Sequence, residues 1–328
     1  MTFNKDIRSE SCCGRGILRS NPLLVTILIC LTCFSFAQIP EVSSGRIVRF
    51  ENFPSRFVPA RNIDVWLPGG YSTDEEYAVL YMHDGQILFD STKSWNGQEW
   101  GVDETVTRLA GSGEIRPCIV VGIWNSGTSR HSEYFPQKPY QMLPDAYRET
   151  LISAATRSNG AMIFSGEIRS DNYLKFIVYE LKPYIDSVFS THKDQQNTFI
   201  AGSSMGGLIS LYAVCEYPGI FYGAACLSTH WTVIYTAENN PIPAVIMDYL
   251  KENLPSPEKH RIYFDYGTET LDSLYESFQV QADGIMKQKG YTDQNWKTLK
   301  FQGENHSENA WKKRLAFPLE FLIGLSNN

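Results

Sequence analysis

The chain has few cysteines outside its first segment, no basic cluster and no internal repeat. Of its seven cysteines only Cys118, Cys215 and Cys226 lie beyond residue 37. That is an odd number without CxxC spacing, and neither a disulfide framework nor a metal site is indicated. Cys118 and Cys226 sit in apolar runs and read as small buried hydrophobes. The balance is acidic, with 29 basic residues against 36 acidic ones and no Lys/Arg cluster. This argues against nucleic acid or anionic lipid as a partner. Low-complexity linkers are absent after residue 38. With 43% apolar and 13% aromatic residues, the composition is that of a globular domain. At 328 residues the chain suits one large domain and falls short of two.

The first stretch reads as a leader. Lys5, Arg8, Arg15 and Arg19 precede an uncharged apolar run from Pro22 to Phe36. That run is shorter than the roughly 20 residues a spanning helix needs. Ser35 and Ala37 are the small residues a signal peptidase accepts, so the expectation is a signal peptide over 1–37, cleaved before Gln38. Ile29 and Thr32, ahead of Cys30 and Cys33, are too bulky for lipid attachment. The expected mature domain, 38–328, is then exported to the periplasm or beyond, without a stable membrane anchor. Losing four bases and two acids takes the net charge from −7 to −9.

Apolar, β-rich runs alternate with helical patterns, which predicts an α/β fold with a mostly parallel central sheet and helices on both faces. Strands are expected at 46–50, 61–67, 78–83, 118–123, 198–201, 224–227, 262–265 and 297–301. Helices are expected at 101–110, 171–189, 207–217, 242–254, 271–289 and 309–325. In the second of these, Leu174, Ile177, Val178, Leu181, Ile185 and Val188 repeat at helical spacing, and Pro183 should kink or break it. The stretch 140–169 has no clean pattern and reads as a loop or cap.

The strongest chemical signal is Gly202-Ser203-Ser204-Met205-Gly206, followed by Gly207. It fits G-x-S-x-G, the nucleophile elbow of α/β-hydrolases, and it lies between a predicted strand and a predicted helix, as that elbow requires. Small residues two before and two after Ser204 keep a very tight turn free of collisions. A serine hydroxyl needs a base to take its proton. Of six histidines, His306 lies in a polar loop after the last predicted strand, where a hydrolase sheet carries its base. His192 and His260 sit among charges and read as solvated, whereas His230 is placed to line a pocket. The acid should follow the strand at 262–265. Asp272 is preferred and Glu269 is the alternative, while Asp265, inside the strand, reads as structurally paired. Two backbone donors complete an oxyanion hole, expected at the N–H groups of Met205 and Gln86. Gly85 is expected to let the backbone approach the substrate, and Asp84 to brace the loop.

At these residues the chain resembles the esterases that include enterochelin-esterase-like, feruloyl and acetyl-xylan esterases and esterase D. The resemblance is carried by Tyr81-Met82-His83-Asp84-Gly85-Gln86-Ile87-Leu88-Phe89-Asp90, Arg130-His131-Ser132-Glu133-Tyr134, the Ser204 motif, Phe264-Asp265-Tyr266-Gly267-Thr268 and Gly303-Glu304-Asn305-His306. Ile87 departs from the Asn usual in its loop. The resemblance implies a Ser–Asp/Glu–His triad and cofactor-free hydrolysis of carboxylic esters, whether feruloyl, acetyl or siderophore esters. Two competing readings are an acyltransferase of similar fold and a non-catalytic carbohydrate-binding protein. The second would use Trp95, Trp100, Trp124 and Trp231 as stacking platforms, against ordinary core and rim packing for at least two of them.

Overall fold

The computed structural model describes residues 38–157 and 159–325. The expected leader, 1–37, lies outside the described residues. Among the described residues, eight strands form one sheet: β1 (Arg46–Phe53), β2 (Arg61–Leu67), β3 (Ala78–His83), β4 (Cys118–Ile123), β5 (Thr198–Ser203), β6 (Gly223–Leu227), β7 (Arg261–Gly267) and β8 (Trp296–Phe301). Their order is β1-β2-β4-β3-β5-β6-β7-β8. The β1/β2 and β2/β4 pairs are antiparallel and every later pair is parallel. The fold is that of an α/β-hydrolase.

Side chains on the central strands alternate between two cores. On β3, Val79 and Tyr81 join one cluster, while Ala78, Leu80 and Met82 join the other. Both faces are covered, so these strands read as unbroken apolar runs rather than as polar–apolar alternation. The larger core takes α5 (Ser170–Phe176), α6 (Lys182–Val188), α7 (Met205–Glu216), α8 (Ile242–Asn253) and α9 (Glu276–Gln288). The opposite face is closed by α1 (Val102–Gly111), α10 (Glu308–Arg314) and α11 (Ala316–Ile323). Helix α7 is buried on nearly every side, which explains why its sequence lacks an amphipathic stripe.

Several expected elements need correction. The stretch 140–169 is helical in its first half only: α2 (Arg130–Tyr134) and α3 (Gln137–Met142) lead into it and α4 (Asp145–Ala154) lies within it, whereas the described residues from Ala155 to Arg169 form no helix, as the loop reading expects. Only Leu151 of α4 is buried, so no apolar stripe announced the helix. The 171–189 helix neither ends nor breaks at Pro183. A π turn over Ile177–Leu181 links α5 to α6 just before the proline, and such a bulge absorbs the missing backbone donor. The expected 309–325 helix is divided at Leu315 into α10 and α11. Pro318 has no N–H to offer the carbonyl four residues earlier, which favours the division.

Candidate active site

Gln86, Ser204, Asp272 and His306 all follow the carboxyl ends of strands, β3, β5, β7 and β8 in turn. Strand β3 has β4 on one side and β5 on the other, so chain order reverses there. Open α/β sheets bind ligands at such a switch point.

Ser204 occupies the turn between β5 and α7 with φ 57° and ψ −123°, a region L-residues rarely adopt. The turn is held by Ser204 N–H donating to Leu227 O at 2.9 Å and by His230 N–H donating to Ser204 O at 3.2 Å. Of the glycines around it, Gly202 is sterically required and Gly207 is tightly placed. A Cβ at Gly202 would lie 2.8–3.0 Å from the backbone of Gly206, and one at Gly207 3.2–3.3 Å from Cys226 and Leu227 backbone. The first N–H groups of α7, Met205 among them, have no partner inside the helix.

His306 stands between β8 and α10. Its N–H donates to Thr270 Oγ1 at 2.9 Å, and its ring meets Trp311 and Tyr275 edge-on at 5.0 and 6.0 Å. Nδ1 lies 2.5 Å from Asp272 Oδ1, which leaves Nε2 as the nitrogen available to a serine proton. Asp272 sits in a tight turn, Thr270–Leu274, between β7 and α9, rather than inside the long helix expected from 271. Its Oδ2 accepts from Gly267 N–H and from the Ser228 hydroxyl, each at 2.6 Å. Burial alone would raise the Asp272 carboxyl. His306, Ser228 and the Gly267 N–H outweigh that and hold it below the usual carboxylate value. Glu269 is exposed, and its N–H donates to Glu304 O at 3.1 Å. The acid that meets His306 is thus Asp272.

A second tier surrounds Asp272. Ser228 Oγ also accepts from Arg314 Nη2 at 2.7 Å and Trp311 Nε1 at 3.0 Å, and Arg314 pairs with Asp265 at 2.9 Å. Burial lifts Asp265 to about 6 against the opposing pull of Arg314. Neither Ser228 nor Arg314 stood out in the sequence, because nothing local marks their partners.

Ser204 and His306 line one cavity of about 400 Å³, together with Gln86, Trp95, Asn125, Arg130, His131, Arg157, His230, Tyr235 and Glu308 among others. Asp84, which also lines it, takes two 2.7 Å bonds from Arg130 and a third from Asn125 Nδ2. Gly85 does not make room for a substrate. A Cβ there would lie 2.5–2.8 Å from the backbone of Gly122 and Ile123, so the glycine lets the turn pack against β4. A larger groove of about 810 Å³, lined by Tyr140, Arg148, Ile152 and Ile168, includes neither Ser204 nor His306.

Other expectations are overturned here. His260 is buried, with Nδ1 2.8 Å from Ser256 O and Nε2 2.9 Å from Pro218 O. The four tryptophans do not form the sugar platform of the competing reading, and at least two of them pack as expected. Trp100 and Trp231 are buried, and Trp124 is pinned between Asp64 (2.8 Å) and the Arg49 guanidinium (4.8 Å). Trp95 stands open at 81% exposure on the cavity rim.

A mostly parallel sheet with a strained serine at one strand end and an Asp–His pair at two others defines a hydrolase of the α/β type. The family model described as "Putative esterase" matches residues 56–325; the chain belongs to that family and is a carboxylic ester hydrolase. It is 23% identical over 271 residues to "Uncharacterized protein YbbA" of Bacillus subtilis, covering 80% of this chain and 93% of that one. Among solved structures, a ferulic acid esterase superposes with a TM-score of 0.60 at 18% identity, covering 85% of this chain and 98% of its own. The enterobactin esterase FES from Shigella flexneri, crystallised in the presence of 2,3-di-hydroxy-N-benzoyl-glycine, gives 0.57 at 18% identity. That match covers 87% of this chain and 60% of FES.

Proposed function

We propose that the protein hydrolyses small carboxylic esters by acyl transfer through Ser204, with His306 as base and Asp272 as the acid that orients it. The observation that carries this reading is the 2.5 Å contact between His306 Nδ1 and Asp272 Oδ1 in a cavity that Ser204 also lines. His306 Nε2 takes the serine proton as Oγ attacks the ester carbonyl. The imidazolium that forms is stabilised by the Asp272 carboxylate. The N–H groups of Met205 and Gln86 receive the oxyanion, supported by the positive end of α7. Protonated His306 then gives its proton to the leaving alcohol, and a water activated by the same ring frees the acyl group. Polar side chains such as Asn96, Gln98 and Asn125 around the cavity favour entry of water, which supports hydrolysis over transfer to another alcohol.

The substrates are small-molecule or carbohydrate-linked esters of the feruloyl, acetyl or siderophore type, and the reaction uses no cofactor. Export after cleavage before Gln38 belongs to the same reading. The deciding experiment is hydrolysis of p-nitrophenyl acetate by the wild type and by Ser204→Ala. Removing a triad member costs on the order of 10⁴ or more in kcat, so turnover by the variant near the wild-type rate would overturn the assignment. N-terminal sequencing of protein from its native host tests export, with Gln38 as the expected first residue.

A further inference from the structure

The cavity beside Ser204 holds two groupings of opposite charge. In one, Glu308 accepts from Asn96 Nδ2 at 2.9 Å, with Trp95 and Gln98 close by in the chain. In the other, Arg157 Nη1 donates to the Tyr235 hydroxyl at 3.0 Å, and Nη2 lies 3.2 Å from His131 Nδ1. Arg157 belongs to the connection between α4 and α5. It is fixed there by its own N–H donating to Ala161 O at 2.7 Å and by Gly160 N–H donating to Arg157 O at 2.9 Å.

Among the described residues the Arg157 guanidinium meets only neutral side chains. Among the described residues no carboxylate pairs with it, and Asp84, the other acid lining the cavity, is already taken by Arg130. Two of its five N–H groups are used in these contacts, and the guanidinium fork is built to bind a carboxylate through two parallel bonds. Next to it, the Tyr235 ring lies 5.8 Å from the ring of His230. His230 is 1% exposed, its Nδ1 sits 2.7 Å from the Tyr275 hydroxyl, and its Nε2 is buried without a partner among the described residues. Burial, with His306 and Arg130 adding to it, pushes His230 down to about 3, and His131 is pushed well below its usual value. Both rings are therefore neutral at working pH. The wall thus holds one cation without a carboxylate partner among the described residues, in the same cavity as Ser204 and beside His230, whose N–H donates to Ser204 O at 3.2 Å.

We propose that Arg157, held by Tyr235 and His131, is an anion-recognition subsite that binds a free carboxylate carried by the ester substrate. It rests on the reading of Ser204 as the nucleophile and deepens it: the preferred esters bear an acid group besides the scissile bond. A carboxylate docked there supplies the charge the guanidinium lacks and holds the ester against Ser204.

The test compares two pairs of esters. The p-nitrophenyl monoester of succinic acid against p-nitrophenyl butyrate places the charge on the acyl side. The pair 4-acetoxybenzoate and phenyl acetate places it on the leaving group. For at least one pair the wild type should favour the anionic member in kcat/KM. Arg157→Gln should lower that anionic-to-neutral ratio about tenfold, mainly through KM, as expected for a charge-assisted hydrogen bond. Arg157→Lys should restore part of it, and Tyr235→Phe, which frees the guanidinium to swing, should lower it too. Ratios within threefold of wild type for both pairs in Arg157→Gln, or wild-type preference for the neutral ester in both, overturn the subsite. If Arg157→Gln does not fold, the Lys and Phe variants decide by the same ratios. If the wild type turns over no ester at all, the proposed function fails. The subsite is then judged by calorimetric titration of succinate into Ser204→Ala protein. Binding lost on adding Arg157→Gln upholds it, and equal or absent binding overturns it.

Discussion

The Ser228 hydroxyl lies 2.6 Å from Asp272 Oδ2, the oxygen that His306 leaves free. The same hydroxyl accepts from Arg314 and Trp311, so it can only donate towards Asp272. Ser228→Ala removes that donor and strands the buried Trp311 Nε1–H, while Arg314 Nη2 keeps its pairing with Asp265. We expect a stability loss of about 1–3 kcal/mol and a fall in kcat. The acid limb of the pH–rate profile should also move to higher pH, because the carboxylate loses a bond that favours its charged form. A variant that lost stability but kept the wild-type pH profile would make Ser228 a packing residue only.

The two acids separate cleanly by mutation. Asp272→Asn keeps the shape but offers His306 a donor where it needs an acceptor, and should cost about 10⁴ in kcat by analogy with serine proteases. Glu269 is exposed at the start of a turn, where such surface charges are worth about 1 kcal/mol or less. Glu269→Gln should leave kcat within a few-fold of wild type. Steady-state kinetics on p-nitrophenyl acetate measures both, and a large loss in Glu269→Gln with a small one in Asp272→Asn would reverse the assignment.

Much of this arrangement was legible in the sequence because each strand end is locally marked. β5 runs into the Ser204 elbow and its glycines, β3 is followed directly by Asp84-Gly85, and β8 leads into a polar loop holding His306. What stayed hidden depends on distant contacts. Ser228 meets residues 44 and 86 positions away, and no spacing rule links them. Helix α4 escaped notice because its surface is mostly exposed, and periodicity reports burial rather than helicity. His260 read as solvated from its charged neighbours, although the fold closes over it. Gly85 was legible as a necessary glycine, but its reason, the backbone of β4, came from another strand.

That reason carries its own test. Gly85→Ala pushes a methyl against Gly122 and Ile123 backbone at 2.5–2.8 Å, and neither strand nor turn can yield as a side chain would. Overpacking of this kind costs about 1–3 kcal/mol. The Gln86 N–H should shift with the turn, so kcat should fall more than KM rises. Denaturant unfolding and kinetics on the purified variant check both, and wild-type values in each would show that the turn absorbs the methyl.

Stability should depend steeply on pH below neutrality. His83 and His230 are pushed down to about 3 by burial, and His131 is lowered well below its usual value by the same cause. In the unfolded chain each takes a proton near about 6.5. Their depressed values therefore give stability that is present above that pH and lost as pH falls. Asp265 works in the opposite sense: raised to about 6, it keeps a proton in the fold that the unfolded chain has released. At pH near 5 the three histidines less one aspartate leave the unfolded state with about two extra protons, a slope of about 2.7 kcal/mol per pH unit. Urea unfolding at a series of pH values between about 5 and 8 should show stability falling towards acid and levelling off above neutrality. His83→Gln should reduce the slope near pH 5 by about one proton's worth, or ~1.4 kcal/mol per unit. A flat curve from neutrality to pH near 5 would mean these rings are protonated in the folded protein, against the burial that surrounds them.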